Sequence, residues 1–213
     1  MDFLSSIFDL LVHLDKHLLT LAQEYGGWVY LILFLIVFCE TGLVVTPFLP
    51  GDSLLFVAGT LAGAGAMDAH VLVVVLSLAA VIGNSVNYAV GRWLGARVFR
   101  SQDSWLFKKA YLERTQRYFE RFGGRTIIIT RFVPIVRTYA PFVAGIGAMN
   151  YPRFLLFNVV GALLWVGLLV YAGYLFGNVP LVNKNLTLVI FGIILISMLP
   201  AIIEVVRHRL RRA

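Results

Sequence analysis

Long apolar segments fill most of this sequence, and basic residues cluster between them. Of the 213 residues, 60% are hydrophobic and 14% are charged, whereas a soluble domain carries about 25% charged residues. Nine Lys or Arg lie between Arg92 and Arg125, and four more lie between Arg207 and Arg212. Basic clusters beside apolar spans are typical of cytoplasmic loops near anionic lipid. The sequence therefore predicts a multi-pass protein of the inner (cytoplasmic) membrane with a cytoplasmic C-terminus.

The net charge of +7 does not indicate a nucleic-acid partner, because most of the basic residues cluster in short stretches beside apolar spans. No nucleic acid is therefore expected among the partners. The single cysteine, Cys39, has no second thiol for a disulfide and makes no metal cluster by itself. No metal or cofactor is predicted.

Two apolar segments are interrupted by proline and glycine, whereas a membrane span needs about 20 consecutive apolar residues. Residues 27–67 are broken at 46–52, and residues 126–148 are broken between Arg131 and Pro141. Irregular backbone at membrane depth is tolerated only where protein or a water-filled cavity surrounds it. Both segments are therefore predicted to be re-entrant hairpins. The residues expected to shape the two hairpins are Pro47, Pro50, Gly51, Pro134 and Pro141.

The predicted fold is a single all-α membrane domain, residues 1–213, in which spanning helices, re-entrant hairpins and interfacial amphipathic helices combine. Because the basic residues place 92–125 in the cytoplasm and 178–185 outside, the two hairpins insert from opposite sides of the membrane. In chain order the elements are an amphipathic helix (3–21), re-entrant hairpin 1 (27–67), a transmembrane helix (69–91), a cytoplasmic interfacial helix (105–122), re-entrant hairpin 2 (126–148) and transmembrane helices 154–177 and 186–206.

An internal repeat favours two hairpins that face each other. The string FVAG occurs at 56–59 and again at 142–145, an offset of 86 residues, and each copy precedes a long span. Those spans end in GxxxG patterns at 91–95 and 173–177, an offset of 82 residues. Inverted-topology repeats of this kind place their ligand site near the membrane midplane, between the broken helices.

Four charges lie in apolar surroundings at the hairpins: Glu40 and Asp52 in the first, Arg131 and Arg137 in the second. Each costs roughly 2.5–3.5 kcal/mol at the centre of a spanning helix, so the four are expected to be paired or hydrated. One interpretation is a structural lock of salt bridges between the hairpins. The other is a functional site, because desolvation can outweigh the attraction within a buried ion pair.

The residue types favour phosphate binding together with proton exchange. Arg131 and Arg137 carry guanidinium groups, whose planar fork matches a phosphate. Glu40 and Asp52 are carboxylates in a low-dielectric site, where proton exchange becomes accessible near neutral pH. Phosphate reaching the arginines would release the acids from pairing. Four further side chains are candidates to line the cavity, or only to pack and hydrogen-bond between helices: Asn84, Asn87, Tyr88 and Tyr139.

Three strings carry a resemblance to a known family. They are ETGLVVTPFLPGD at 40–52, GRWLG at 91–95 and RFVPIVRTYAPFVAG at 131–145. With these strings, nearly the whole chain resembles the bacterial DedA family, which is related to the VTT-domain (SNARE-associated) proteins. One departure concerns Asn84, because many members have Gly-Asp before a Y-x-x-G-R string where this chain has Gly83 and Asn84.

The resemblance implies a membrane lipid translocase, either a flippase or a scramblase, and a dependence on the proton motive force. The implied cargo is a phosphate-bearing lipid such as undecaprenyl phosphate or phosphatidylethanolamine, so membrane lipids and protons are the expected partners. The functional acids of the family fall on Glu40 and Asp52, and its functional arginines fall on Arg131 and Arg137.

Other functions stay open at this point. A proton-coupled transporter of a small ion or drug would need an aqueous vestibule, whereas a lipid translocase would need a lateral opening. A scaffold would use the four charges only as a lock. An enzyme is not expected, because the sequence contains no recurring Ser/His/Asp, Cys/His or metal-ligand cluster and the hairpins contain no histidine.

Overall fold

A computed structural model describes most of the chain between residues 26 and 179. The described residues are 26–42, 51–94, 109–147, 149–177 and 179. The predicted amphipathic helix 3–21 and the predicted span 186–206 lie outside these residues, as do Pro47 and Pro50.

Within the described ranges the regular structure is entirely helical, as the sequence predicts. Two 3-10 turns, Gly123–Arg125 and Thr130–Phe132, lie on either side of a short α-helix in the second half of the chain. The α-helices are α1 (Trp28–Gly42), α2 (Gly51–Gly63), α3 (Ala69–Leu94), α4 (Lys109–Phe122), α5 (Thr126–Ile129), α6 (Pro134–Ile146) and α7 (Tyr151–Gly177).

Two of these helices, α3 and α7, are long and apolar enough to cross a membrane. They have 26 and 27 residues, or about 40 Å at 1.5 Å per residue, against a hydrocarbon thickness of about 30 Å. Large apolar side chains on both helices face outward, among them Val74, Leu78, Leu164 and Leu168. Helices α1 and α2 have 15 and 13 residues, so each is about 20 Å long and shorter than the hydrocarbon layer.

The segment 126–146 is a broken helix, and the break lies at Val133. The backbone of Val133 is extended, with φ −121° and ψ 98°, and α6 begins at the next residue, Pro134. A residue before proline is disfavoured in the helical conformation, whereas proline itself suits the first position of a helix. Pro141 lies inside α6, which continues to Ile146. The expectation that Pro141 also interrupts this segment is therefore wrong, because the helix runs through it.

Helix α2 packs closely against α7 through two glycines. A Cβ atom at Gly59 would collide with the carbonyl oxygen of Val170, and a Cβ atom at Gly173 would collide with the carbonyl oxygen of Phe56. The absence of side chains at these two glycines lets the backbones of α2 and α7 touch.

The same arrangement recurs where α6 packs against α3. A Cβ atom at Gly145 would collide with the carbonyl oxygen of Tyr88, and one at Gly91 would collide with that of Phe142. The offset of 86 residues relates the α2 residues to those of α6, and the offset of 82 relates the α3 residues to those of α7. The repeat in the sequence therefore corresponds to a repeat of helix packing, in which each short helix packs on the long helix of the other half.

Two groups of buried apolar side chains hold these helices together. The larger group draws on α1, α2, α3 and α7 and includes the fully buried Leu33, Leu55 and Leu76. The smaller group joins α3, α5, α6 and α7 around Ile127 and Phe154. The charged residues of the two broken segments lie where these helices end or begin.

Candidate functional site

The four charges singled out in the sequence lie at helix termini. Glu40 is in the last turn of α1, Asp52 is in the first turn of α2, and Arg137 is in the first turn of α6. Arg131 belongs to the 3-10 turn that precedes the break at Val133. A carboxylate at a helix N-terminus, such as Asp52, is favoured by the helix dipole.

Arg137 bridges both acids. Its Nη1 donates to Asp52 Oδ1 at 2.7 Å, and its Nη2 donates to Glu40 Oε1. These contacts join residues 85 and 97 positions apart in the sequence. The two broken segments therefore meet through their charges, and a single arginine binds both acids of the site.

Arg131 is satisfied differently. It is buried, and its Nη2 donates to Asn158 Oδ1 at 2.6 Å and to the Asn158 carbonyl oxygen at 3.4 Å. Within the described part of the chain it forms no ion pair with a carboxylate, and its buried Nε–H has no acceptor. The alternative interpretation, in which salt bridges lock both arginines to the two acids, therefore does not hold for Arg131, because its partner among the described residues is the neutral amide of Asn158.

Trp165 of α7 lies beside both arginines. Its ring centroid is 5.3 Å from Cζ of Arg137 and 5.9 Å from Cζ of Arg131, within the range of cation–π contacts. Its Nε1–H also donates to Asp52 Oδ1 at 3.0 Å. Trp165 therefore contacts one acid and both bases of the site.

Glu40 fits against the first residue of α2. A Cβ atom at Gly51 would overlap the carboxylate of Glu40, so only glycine at this position leaves room for that carboxylate. From the sequence, Gly51 was predicted to shape the first hairpin. In the structure it begins α2 and makes space for a charged side chain.

A small cavity of about 20 Å³ lies among these residues. That volume holds roughly one water molecule, and it is too small for a phosphate group. The cavity is lined by Glu40, Thr41, Asn84, Arg131, Arg137, Thr138 and Trp165.

Comparison with known proteins places this chain in a family. Residues 49–175 match the family model described as the VTT domain. The protein DedA of Escherichia coli K12 is 56% identical over 211 residues, which cover 98% of this chain and 96% of that protein. The chain belongs to the DedA family. It is a membrane protein of that family, as the resemblance of its motifs implies.

More distant relatives include an uncharacterized membrane protein of Mycobacterium tuberculosis, 42% identical over 88% of this chain and 84% of its own length. The inner membrane protein YqjA of Escherichia coli K12 is 40% identical over 74% of this chain and 72% of its own length. No solved structure matches this DedA-family chain. The VTT region includes Asp52, both arginines and the site residues of α7, whereas Glu40 precedes it.

The four predicted cavity residues of this DedA-family chain have different environments. Asn84 lines the cavity and also donates to Asn158 Oδ1 at 3.0 Å. Asn87 is buried and donates to the Thr138 carbonyl oxygen at 2.9 Å, which ties α3 to α6. Neither it nor the two tyrosines belongs to the lining of this cavity.

The two tyrosines lie in packed surroundings. Tyr88 donates from its hydroxyl to the Met149 carbonyl oxygen and stacks on Phe154 with ring centroids 4.5 Å apart. Tyr139 is buried within α6. In the described ranges no three His, Cys, Asp or Glu side chains converge as metal ligands would.

Asn158 and Trp165 were not among the site residues predicted from the sequence. Asn158 did leave a signal, because it is the one amide side chain in the apolar helix α7. Polar side chains inside a spanning helix commonly face another helix and hydrogen-bond there. Trp165 left no such signal, since a tryptophan in the middle of the predicted span 154–177 equally suits packing in an apolar interior.

Proposed function

We propose that this DedA-family protein is a lipid translocase, a flippase or scramblase that moves a phosphate-bearing lipid across the inner membrane. Undecaprenyl phosphate and phosphatidylethanolamine are the cargo candidates. The observation that carries the proposal is the arginine pair on one small cavity, where Arg131 forms no ion pair with a carboxylate among the described residues. Guanidinium groups bind phosphate through paired charge-assisted hydrogen bonds.

The membrane arrangement that goes with this function is an inverted repeat in the inner membrane. The name of YqjA as an inner membrane protein supports this location, and α3 and α7 supply two spans of sufficient length. The broken segments 27–67 and 126–148 insert as re-entrant hairpins from opposite sides. Helix α4 carries exposed Arg117 and Arg121, which suits contact with anionic lipid on the cytoplasmic surface.

Proton exchange accompanies transport in this proposal. The cavity holds about one water molecule, so phosphate enters only when the contacts of Arg137 with Glu40 and Asp52 open. A carboxylate that loses its partner in an apolar site is costly as an anion and takes up a proton. Phosphate binding at Arg137 is thereby coupled to protonation of the acids.

The decisive experiment is reconstitution of the purified protein into liposomes. Labelled undecaprenyl phosphate and labelled phosphatidylethanolamine are followed separately, with and without a pH gradient. We expect transfer of at least one lipid between leaflets, faster than in protein-free liposomes and faster than with Arg131→Gln or Arg137→Gln. A response of the rate to the gradient is expected from the coupling to protons.

Two results would count against this function. If neither lipid moves and a small ion or drug accumulates with the gradient, the protein is a proton-coupled solute transporter. If Arg131→Gln and Arg137→Gln, both monodisperse, move lipid as fast as the wild type, the arginines do not bind the headgroup. Thermal unfolding of the same preparation controls for loss of folded protein in each variant.

A further inference from the structure

The two arginines of the site are not equivalent. Arg137 is held by two carboxylates, whereas Arg131 is held by the uncharged side chain of Asn158. A phosphate that approaches Arg137 must compete with two anions. Among the described residues, a phosphate that approaches Arg131 competes with the side-chain and backbone carbonyl oxygens of Asn158, which bind a guanidinium more weakly than a carboxylate does.

We propose that Arg131 is the first residue to contact the phosphate and that Asn158 is the positioning residue that keeps it available. Asn158 gives the guanidinium a hydrogen-bond partner without cancelling its positive charge. This inference rests on the proposed function, because it assigns an order of binding to the same site: Arg131 first, then Arg137 as Glu40 and Asp52 release it.

The orientation of the Asn158 amide is held by its neighbours. Asn158 is fully buried, and its Nδ2 donates to the Val81 carbonyl oxygen at 3.0 Å. Its Oδ1 accepts from Arg131 at 2.6 Å and from Asn84 at 3.0 Å. Rotation of the amide by half a turn would place its NH2 group against the donors of Arg131 and Asn84. The oxygen is therefore held towards Arg131 by contacts with α3.

Arg131 keeps unused capacity for a ligand. It lines the cavity, and its buried Nε–H has no acceptor among the described residues. Gly161 leaves room for the side chain, because a Cβ atom there would come within 3.1 Å of both Cδ and Nε of Arg131. A buried donor without a partner is unfavourable, and a phosphate oxygen is an acceptor that would satisfy such a donor.

The test places a carboxylate where the amide is, in the variant Asn158→Asp. Binding of a soluble short-chain phosphatidic acid to the purified full-length protein is titrated, with a short-chain diacylglycerol as the phosphate-free control. We expect Asn158→Asp to bind phosphatidic acid about tenfold or more weakly, since an internal ion pair now competes for Arg131. The matched control is Asn150→Asp, the same substitution at an exposed position near the start of α7, which should bind like the wild type.

A double-mutant cycle separates positioning from general damage. If Asn158 acts through Arg131, adding Asn158→Asp to Arg131→Gln should weaken binding no further. Equal affinity of Asn158→Asp and wild type would overturn the proposal, as would an additive loss in the double variant. Failure of the wild type to bind phosphatidic acid or to move lipid would instead refute the proposed function itself.

A second variant covers the case in which Asn158→Asp does not fold. The triple variant Glu40→Gln, Asp52→Asn, Arg137→Gln removes the second arginine together with both acids and leaves Arg131 with its amide partner. We expect it to retain phosphatidic acid binding within about tenfold of the wild type, because one arginine–phosphate contact of two remains. Complete loss of binding in a monodisperse triple variant would show that Arg131 is not the first contact.

Discussion

The two halves of the described chain, residues 26–94 and 109–179, share their helix packing but differ in chemistry. In both halves a short helix touches the long helix of the other half through glycines, Gly59 and Gly173 at one contact, Gly91 and Gly145 at the other. The acids Glu40 and Asp52 both belong to the first half, and the arginines belong to the second. Equivalent backbones thus carry opposite charges.

Two positions illustrate the difference. With the offset of 86 residues, Arg137 is the repeat equivalent of Gly51, and with the offset of 82 residues, Trp165 is the repeat equivalent of Gly83. A Cβ atom at Gly51 would overlap the Glu40 carboxylate, and one at Gly83 would overlap the Thr41 hydroxyl. Where the second half has a large cationic or aromatic side chain, the first half has a glycine, and the end of α1 fills the space. The repeated glycine packing brings the helices together, and the difference in side chains at these equivalent positions makes room for the charged site.

The largest effect on stability is expected from Arg137→Gln, because it removes the cationic partner of the buried Glu40 and of the partly buried Asp52. Such a loss typically costs about 3–5 kcal/mol. Arg131→Gln should cost less, about 1–3 kcal/mol, since its partner Asn158 can hydrogen-bond to glutamine. Thermal unfolding in detergent measures both. Equal losses for the two variants would show that the arginines are equivalent, contrary to the contacts in the structure.

Removing the acids together with Arg137 should restore most of that stability. The triple variant Glu40→Gln, Asp52→Asn, Arg137→Gln has no unpaired charge at this corner, yet it should not translocate lipid. Arg137→Lys should also lose transport, because a single ammonium cannot reproduce the fork that reaches two carboxylates or a phosphate. Lipid transfer by folded protein in liposomes is the measurement. Near-normal transfer by the triple variant would show that Glu40, Asp52 and Arg137 serve only as a structural lock.

The shared packing is tested by alanine at equivalent glycines. Gly59→Ala and Gly145→Ala should each destabilise the protein by about 1–3 kcal/mol, because each Cβ atom would collide with a backbone carbonyl of the facing long helix. The matched control is Gly167→Ala in α7, where no atom lies within 4 Å of the added Cβ. We expect no loss there, and alanine favours the helix. A large loss at only one of the two glycines would break the equivalence of the halves.

The smallest effect concerns the start of α3. The backbone N–H groups of Val71 and His70 donate to Asp68 Oδ1 and hold the pKa of that exposed carboxyl below its ordinary value. The stabilisation is complete above the unfolded-state pKa of about 4 and is lost as the pH falls through the lowered folded-state value. Melting temperature should therefore drop slightly more from pH 6 to pH 3 in the wild type than in Asp68→Ala. Identical pH profiles would show that these hydrogen bonds to Asp68 do not stabilise the start of α3.

The sequence was a good guide to which residues are unusual and a poor guide to which residues meet. The sequence predicted an all-helical chain with a break near Pro134, and the described structure agrees. Both predictions depend on local properties, namely apolar composition and the conformation that proline imposes on the residue before it. The predicted interruption at Pro141 was wrong, since α6, which packs against α3, continues through this proline. The sequence also left open whether one arginine or both would pair with the acids, because nothing in the spacing of the four charges distinguishes one arginine from the other.

The sequence by itself determined that the chain belongs in a membrane, that its helical structure breaks just before Pro134 and which four charges needed an explanation. Those conclusions depend on hydropathy, on proline geometry and on the cost of charge in an apolar run, all of which act over a few residues. The tertiary structure decided that Arg137 binds both acids, and it joined Asn158 and Trp165 to the site. Those contacts link residues 27 to 113 positions apart, and they exist because glycine contacts set how closely the long and short helices approach.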